Sequence, residues 1–479
     1  QRHWQPEVMS EGKPWQDRGD PVCRERIVAH AFDCFESGEK EEQMARFSEK
    51  FLLGAATAAH QVEGNNIHSD YWIQEHLKHS QFSEPSGAAV DHYNRYQEDI
   101  LLLKEAGLNA YRFSIEWARI EPEEGSFDQE ELDHYIEMVD FCLAQGVEPV
   151  VTLHHFSSPA WLIRQGGWED EKTVGCFERY VRYVLPALAG KVRYICTINE
   201  ANMRIQLEAL MKDMMQRMQH AAMTNKEKAE SMQKKAGDVQ VGINMQSDMM
   251  AAAMDSAAAF GFQDPRKVAT FVSPGSTAGD LIVMKAHLAA KKVIRELAPE
   301  IKVGLTLSLH DLQAYPGGEA YAETEWADEF LHYLPFIEED DFLGCQCYTR
   351  KCFDESGSVD ARDAVSFTQM GYENYPKAIG NVLARVAEKF HGDLIVTENG
   401  IATEDDAVRR VYIDRATESV AACIARGLRV KGYFYWSLLD NFEWQRGFAM
   451  TFGLIAVDRE NGFARHPKES LAYLGSLRG

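Results

Sequence analysis

Apolar positions along the chain alternate between two rhythms. Short apolar runs of strand length are each followed by a longer stretch in which apolar residues return every third or fourth position. The runs predict strands at residues 51–56, 108–115, 147–153, 191–198, 301–307, 341–348, 393–397 and 430–437. Helical spacing predicts helices at 96–106, 129–145, 172–188 and 468–474, with glycines at 107 and 146 closing the first two. Strands that alternate with helices imply a parallel sheet. Eight such units predict the α/β class, as a single closed (β/α)8 barrel (a TIM barrel) with insertions. An open doubly wound sheet would carry a glycine-rich phosphate loop after its first strand, and Gly54-Ala55-Ala56-Thr57 is not one.

Two stretches interrupt the rhythm. Residues 1–46 are largely charged and are expected to form an N-terminal extension, leaving 47–479 as the barrel. From Arg204 to about Phe260 the chain is rich in Met, Gln, Ala and Lys, which predicts a Met-rich helical insertion between the fourth and fifth strands. Met211, Met214, Met215 and Met218 follow helical spacing. Thioethers fill irregular gaps, so the first reading is helix-packing surface and the second a flexible apolar wall at the mouth of a site.

Charge narrows the function classes. The formal net charge is −24 over 479 residues, which opposes binding to nucleic acid or an anionic membrane surface. No apolar run is long enough to span a bilayer, and Gln1 to Asp20 carry no signal-peptide pattern. Nine scattered cysteines and no Asn-x-Ser/Thr sequon favour a reducing compartment, so a cytoplasmic location is expected. Cys345, Cys347 and Cys352, or His76 with His79, lack a complete tetrahedral ligand set at usual spacing, so no metal or other cofactor is expected. Self-association into a homo-oligomer is left open.

The candidate chemistry lies at strand ends. Thr197-Ile198-Asn199-Glu200 and Val396-Thr397-Glu398-Asn399-Gly400 each read as an apolar strand ending in a glutamate. Catalytic groups of such barrels stand at the C-terminal ends of strands. Paired carboxylates there suit cleavage of a glycosidic bond, where one donates a proton and the other attacks or stabilises the sugar carbon. Arg112 sits inside the apolar run Tyr111–Ile115 and so needs a buried partner, which a carboxylate in the barrel mouth would supply. His154 and His155 end the third strand, and alternation allows only one to face the interior. Gln61, Tyr348, Trp436, Glu443 and Trp444 add amide, carboxylate and aromatic groups suited to sugar hydroxyls and to the apolar face of a pyranose ring.

Five motifs carry a family resemblance: Phe51 through Gly64, Tyr111 through Trp117, Thr197 through Glu200, Thr397 through Gly400, and Tyr435 through Trp444. With these the chain resembles glycoside hydrolase family 1, the retaining β-glycosidases of (β/α)8 fold, from Phe51 to about Leu474. The resemblance implies Glu200 as acid/base and Glu398 as nucleophile. It implies that Asn199 holds the sugar 2-hydroxyl and that Arg112 and Tyr348 keep the nucleophile ionised. Gln61, His155, Glu443 and Trp444 would grip the outer hydroxyls, which selects His155 over His154. Trp436 would form the stacking floor and Phe452 would line the same pocket.

The chain departs from the family pattern at four places. Ala201 stands where proline usually follows the acid/base, Ser157 replaces a common aspartate, and Gln346 and Cys347 replace the usual asparagine and aromatic before Tyr348. The alanine is expected to loosen the turn that carries Glu200. The expected substrate is a terminal, unphosphorylated β-D-glucoside, with β-galactosides or β-fucosides as alternatives. Relatives that cut phosphorylated sugars have serine in place of Glu443, and a carboxylate beside the C6 oxygen would repel a phosphate. A transglycosylase using the same residues, and a non-catalytic carbohydrate-binding barrel, are the competing readings.

Overall fold

The computed structural model describes residues 46–211 and 248–479. Apart from Arg46 the N-terminal extension lies outside the described residues, as do Met214, Met215 and Met218. The remaining strands, in chain order, are β1 (Leu52–Ala56), β2 (Ala110–Ser114), β3 (Glu148–Thr152), β4 (Tyr194–Cys196), β5 (Lys302–Gly304), β6 (Thr306–Ser308), β7 (Asp311–Ala314), β8 (Phe342–Gln346), β9 (Arg350–Asp354), β10 (Gly357–Val359), β11 (Asp393–Asn399), β12 (Val430–Trp436), β13 (Ile455–Asp458) and β14 (Ala464–Pro467).

One sheet runs β5-β4-β3-β2-β1-β12-β11-β8-β6, with every pairing parallel. Its two ends, β5 and β6, are halves of one run broken only at Leu305. The half 302–304 pairs with β4, and the half 306–308 pairs with β8. The nine segments are therefore eight barrel strands, and the sheet closes on itself as a (β/α)8 barrel. All eight predicted strands are present, most of them shorter than the apolar runs that announced them. The helix Lys172–Leu188 has the predicted bounds, and Gln129–Ala144 is one residue shorter.

Side-chain alternation sorts the strands into two cores. Leu52, Ala110, Val150, Tyr194, Cys196, Phe342, Ile395 and Phe434 fill the barrel interior. Their neighbours Leu53, Tyr111, Val151, Ile195, Leu343, Leu394 and Tyr433 face outward and pack under the helices. Burial on both faces explains why the strands read as continuous apolar runs. Two small sheets were not predicted: β10-β9-β7, and the β13–β14 hairpin. Between the fourth and fifth barrel strands, residues 203–211 are helical, followed later by Met249–Phe260 and Thr277–Leu297. Among the described residues no helix is long and apolar enough to cross a membrane. The seven cysteines among them are all buried and unpaired.

Candidate active site

The interior core ends upward in polar groups contributed by successive strands. On β11, strict alternation would put Glu398 on the outward face with Leu394 and Val396. A register shift between Val396 and Glu398 changes that parity. Thr397 and Glu398 both turn toward the mouth, and Asn399 turns outward to the hydroxyls of Tyr412 and Tyr433. Gly400 follows because a Cβ there would lie 1.9 Å from the Trp436 carbonyl oxygen, so only glycine lets the two strand ends approach.

Glu398 is held by three donors. Arg112 Nη1 lies 2.6 Å from Oε1, Gln346 Nε2 lies 3.0 Å from Oε1, and the Tyr348 hydroxyl lies 2.7 Å from Oε2. Arg112 is thus the buried cation whose partner the sequence required. Burial and the Glu398 charge push the Tyr348 phenol well above its usual range, so it stays a donor.

Glu200 has the opposite surroundings. It is fully buried, and among the described residues neither carboxyl oxygen has a hydrogen-bond partner. Burial, then the Glu398 charge, hold its carboxyl well above the usual carboxylate range, against the opposing charge of Arg112. Its backbone has φ 44°, in the left-handed region that non-glycine residues rarely adopt. The turn is pinned by Thr306. The Glu200 N–H donates to Thr306 Oγ1 at 2.8 Å, and the Ala201 N–H donates to Thr306 O at 2.9 Å. Proline at 201 would have no N–H to give. The expected loosening is therefore not observed, because alanine adds a bond that proline cannot make.

Asn199 precedes Glu200 in the chain and shares two donors, Arg112 and Gln346, with Glu398. Its Oδ1 accepts from Arg112 Nη2 at 2.6 Å, Gln346 Nε2 at 2.7 Å and Thr306 Oγ1 at 3.1 Å. Three donors around one oxygen fix the amide orientation, so Nδ2 faces His155 Nε2 at 3.1 Å. Burial, with Arg112 nearby, pushes the His155 imidazole well below its ordinary value, and it is neutral. Because Nε2 accepts, Nδ1 carries the proton, and among the described residues Nδ1 has no partner. His154 turns away, bonding Ser158 Oγ at 3.0 Å and packing on Trp168 and Phe271.

The outer rim completes the set. Gln61 Nε2 donates to the Phe442 carbonyl at 2.8 Å and to Glu443 Oε2 at 3.3 Å. The Trp436 ring lies 5.7 Å from His155, and Phe452 meets the Tyr348 ring edge-on at 6.2 Å. Trp444 stacks on His60 at 5.9 Å, and His60 is tied to Glu75 by a 2.6 Å bond. The Ser157 hydroxyl donates to buried Glu116 at 2.5 Å. Unpartnered buried atoms concentrate at this rim: Gln61 Oε1, His155 Nδ1, Trp436 Nε1, Glu443 Oε1 and both Glu200 oxygens. Each such group costs about 1–3 kcal/mol if left without a hydrogen bond. Two donors and several acceptors around an aromatic floor match the hydroxyls of one sugar ring.

The structure brings together Glu200, Glu398, Arg112, Tyr348, Asn199, Gln61, His155, Trp436, Glu443, Trp444 and Phe452, and leaves His154 out. Two more were missed. Thr306 and Gln346 bond directly to Asn199, and Gln346 also to Glu398. Gln346 stood out only as a departure from a family pattern, and the available signal was its place two residues before Tyr348, on the same strand face.

Burial, then the Glu398 charge, push the Glu443 carboxyl from 4.5 up to about 8. Between those values the unfolded chain releases the proton while the folded protein keeps it, so this group lowers stability as pH rises. Glu443→Gln should remove that dependence. The variant's melting temperature relative to wild type should rise between about pH 5 and pH 8, by the equivalent of up to roughly 4 kcal/mol. A pH-independent difference in paired melts would show that Glu443 does not titrate this way.

Comparison with known proteins agrees with this geometry. The sequence profile of glycosyl hydrolase family 1 matches residues 43–259 and 332–478, about three quarters of the chain. A β-glucosidase of Agrobacterium sp. is 29% identical, over 86% of this chain and 91% of its own length. A 6-phospho-β-galactosidase of Clostridium acetobutylicum is 26% identical, over 88% and 95%. The crystal structure of β-glycosidase BGL167 superposes with a TM-score of 0.78 at 41% identity, covering 90% of this chain and 96% of that one. With a closed (β/α)8 barrel and a pair of buried strand-end glutamates in opposite environments, the chain belongs to glycosyl hydrolase family 1 and is a glycoside hydrolase.

Proposed function

We propose that the enzyme is a retaining β-glycosidase acting on terminal, unphosphorylated β-D-glucosides, with Glu398 as nucleophile and Glu200 as acid/base. The observation that carries this reading is the contrast between the two glutamates. Glu398 receives three donors, one of them a guanidinium, which pair it with a cation and fix its direction for attack. Glu200 is buried with no donor and keeps a proton to give.

In the first step a Glu398 oxygen bonds to the anomeric carbon as the bond from that carbon to the leaving oxygen breaks. Glu200 passes its proton to the departing oxygen. In the second step Glu200, now ionised, takes a proton from water. The water oxygen bonds to the anomeric carbon, and the ester to Glu398 breaks. Two displacements return the original configuration, and such chemistry asks for carboxyl groups about 5–5.5 Å apart. Asn199 Nδ2 has one hydrogen directed to His155 and a second for the 2-hydroxyl, a contact that strengthens as charge develops on the ring.

The case against a phosphorylated sugar rests on the rim. Among the described residues no lysine or arginine side chain donates to Gln61 or Glu443. Repulsion by Glu443 is weaker than its formal charge implies, because its carboxyl is protonated below about pH 8.

The test is hydrolysis of para-nitrophenyl β-glucoside followed by proton NMR, alongside kinetics on the 6-phosphate. The first sugar released is expected to be the β-anomer, and the unphosphorylated substrate should be preferred by about 100-fold or more in kcat/KM, the cost of burying an unpaired charge. Initial release of the α-anomer would refute retention, and preference for the phosphate would refute the substrate class.

A further inference from the structure

Gln346 ends β8 with its amide at the centre of the site. Its nitrogen lies 2.7 Å from Asn199 Oδ1, 3.0 Å from Glu398 Oε1 and 3.0 Å from Thr306 Oγ1. The first two atoms can only accept, so the amide must present its NH2 end to them. The flipped orientation would set three acceptor oxygens against one another. Arg112 makes the same pair of contacts, with Nη1 on Glu398 Oε1 and Nη2 on Asn199 Oδ1. A guanidinium and an amide thus bracket the same two oxygens. Their contributions differ, since Arg112 supplies the charge that lets Glu398 be buried, whereas Gln346 supplies direction without charge. The asparagine that family resemblance places here is one methylene shorter, about 1.5 Å. An amide on that shorter stem would fall back from at least one of the two oxygens.

We propose that Gln346 is a positioning residue for the glycosidic reaction, clamping Glu398 to Asn199 so that the attacking carboxylate and the amide reading the neighbouring hydroxyl keep one fixed relation. The proposal rests on Glu398 being the nucleophile. Two consequences follow from the geometry. Loss of the clamp removes the Gln346 donor from Glu398 Oε1, so the attacking carboxylate is less fixed in direction. It also frees Asn199 Oδ1 from one of three donors, which weakens its hold on the 2-hydroxyl.

Gln346→Met keeps the length and removes the donor, and Gln346→Glu keeps the shape. Each is measured by kcat/KM against pH on dinitrophenyl β-glucoside and on its 2-deoxy counterpart. Gln346→Met should lose about 10- to 100-fold on the parent substrate, the scale of one hydrogen bond to a charged group. The loss on the 2-deoxy substrate should be smaller. In Gln346→Glu the new carboxyl can donate only while protonated, so activity should recover toward acid pH, a signature that survives should the methionine variant fold poorly. Equal losses on both substrates, or a Gln346→Glu profile parallel to wild type, would each overturn the clamp. If Glu398→Gly is inactive and restored by azide while these profiles stay flat, only the clamp fails. If Glu398→Gly stays active, the nucleophile assignment fails with it.

Discussion

Glu398→Gly is expected to lower kcat on dinitrophenyl β-glucoside by about 10⁴-fold or more, the scale reached when a member of a covalent-catalysis unit is removed. The variant leaves Arg112, Tyr348 and Gln346 facing the space of a missing carboxylate. Azide is small and anionic, and those donors suit it. It should enter from the nucleophile's side, displace the aryl group and yield the α-glycosyl azide, with part of the rate restored. Product NMR decides the matter, because recovery of the β-azide would place the nucleophile elsewhere.

Glu200→Ala should give a different pattern. Its proton is needed only where the leaving group is a poor one, so the loss should be roughly 10²- to 10⁴-fold on alkyl glucosides and small for the first step on dinitrophenyl glucoside. The second step still lacks its base. The glycosyl-enzyme should therefore accumulate, visible as a burst of dinitrophenolate with kcat and KM falling together. Azide should now attack that intermediate and give the β-azide. The basic limb of kcat/KM should also vanish. In wild type Glu200 holds its proton above the usual carboxylate range, and activity falls as pH rises through that raised value. A basic limb that persists in Glu200→Ala would assign it to another group.

Much of this was legible in the chain because the physics was local. Strands buried on both faces announce themselves as apolar runs, and helices with one buried stripe as a repeat of three to four. Arg112 was readable as a buried cation in search of a carboxylate, and Glu398 meets that need at 2.6 Å. What escaped depends on relations between distant segments. Alternation along β11 alone puts Glu398 on the wrong face, and only pairing with β8 shows the register shift that turns it inward. The break at Leu305 belongs to barrel closure, where one run must serve two neighbours. Thr306 holds the Glu200 turn from more than a hundred residues away, and nothing in its own surroundings marks it. The consequence expected of Ala201 was wrong for the same reason, since its N–H is satisfied by that distant residue. The hairpin β13–β14 and the sheet β10-β9-β7 are short and partly exposed, so they lack the continuous apolar signal of the barrel strands.

The long excursion between the fourth and fifth barrel strands has an evolutionary consequence. The hydrogen bonds that join Asn199 to Glu398 run through Arg112 and Gln346, Thr306 ties Asn199 to Glu200, and the chain leaves this set at Glu200 and returns to it at Thr306. The excursion is anchored at both ends by the reacting apparatus. Substitutions, insertions and deletions along it can be sampled while bond cleavage stays under separate selection. Such a lineage can change what it recognises without passing through inactive ancestors.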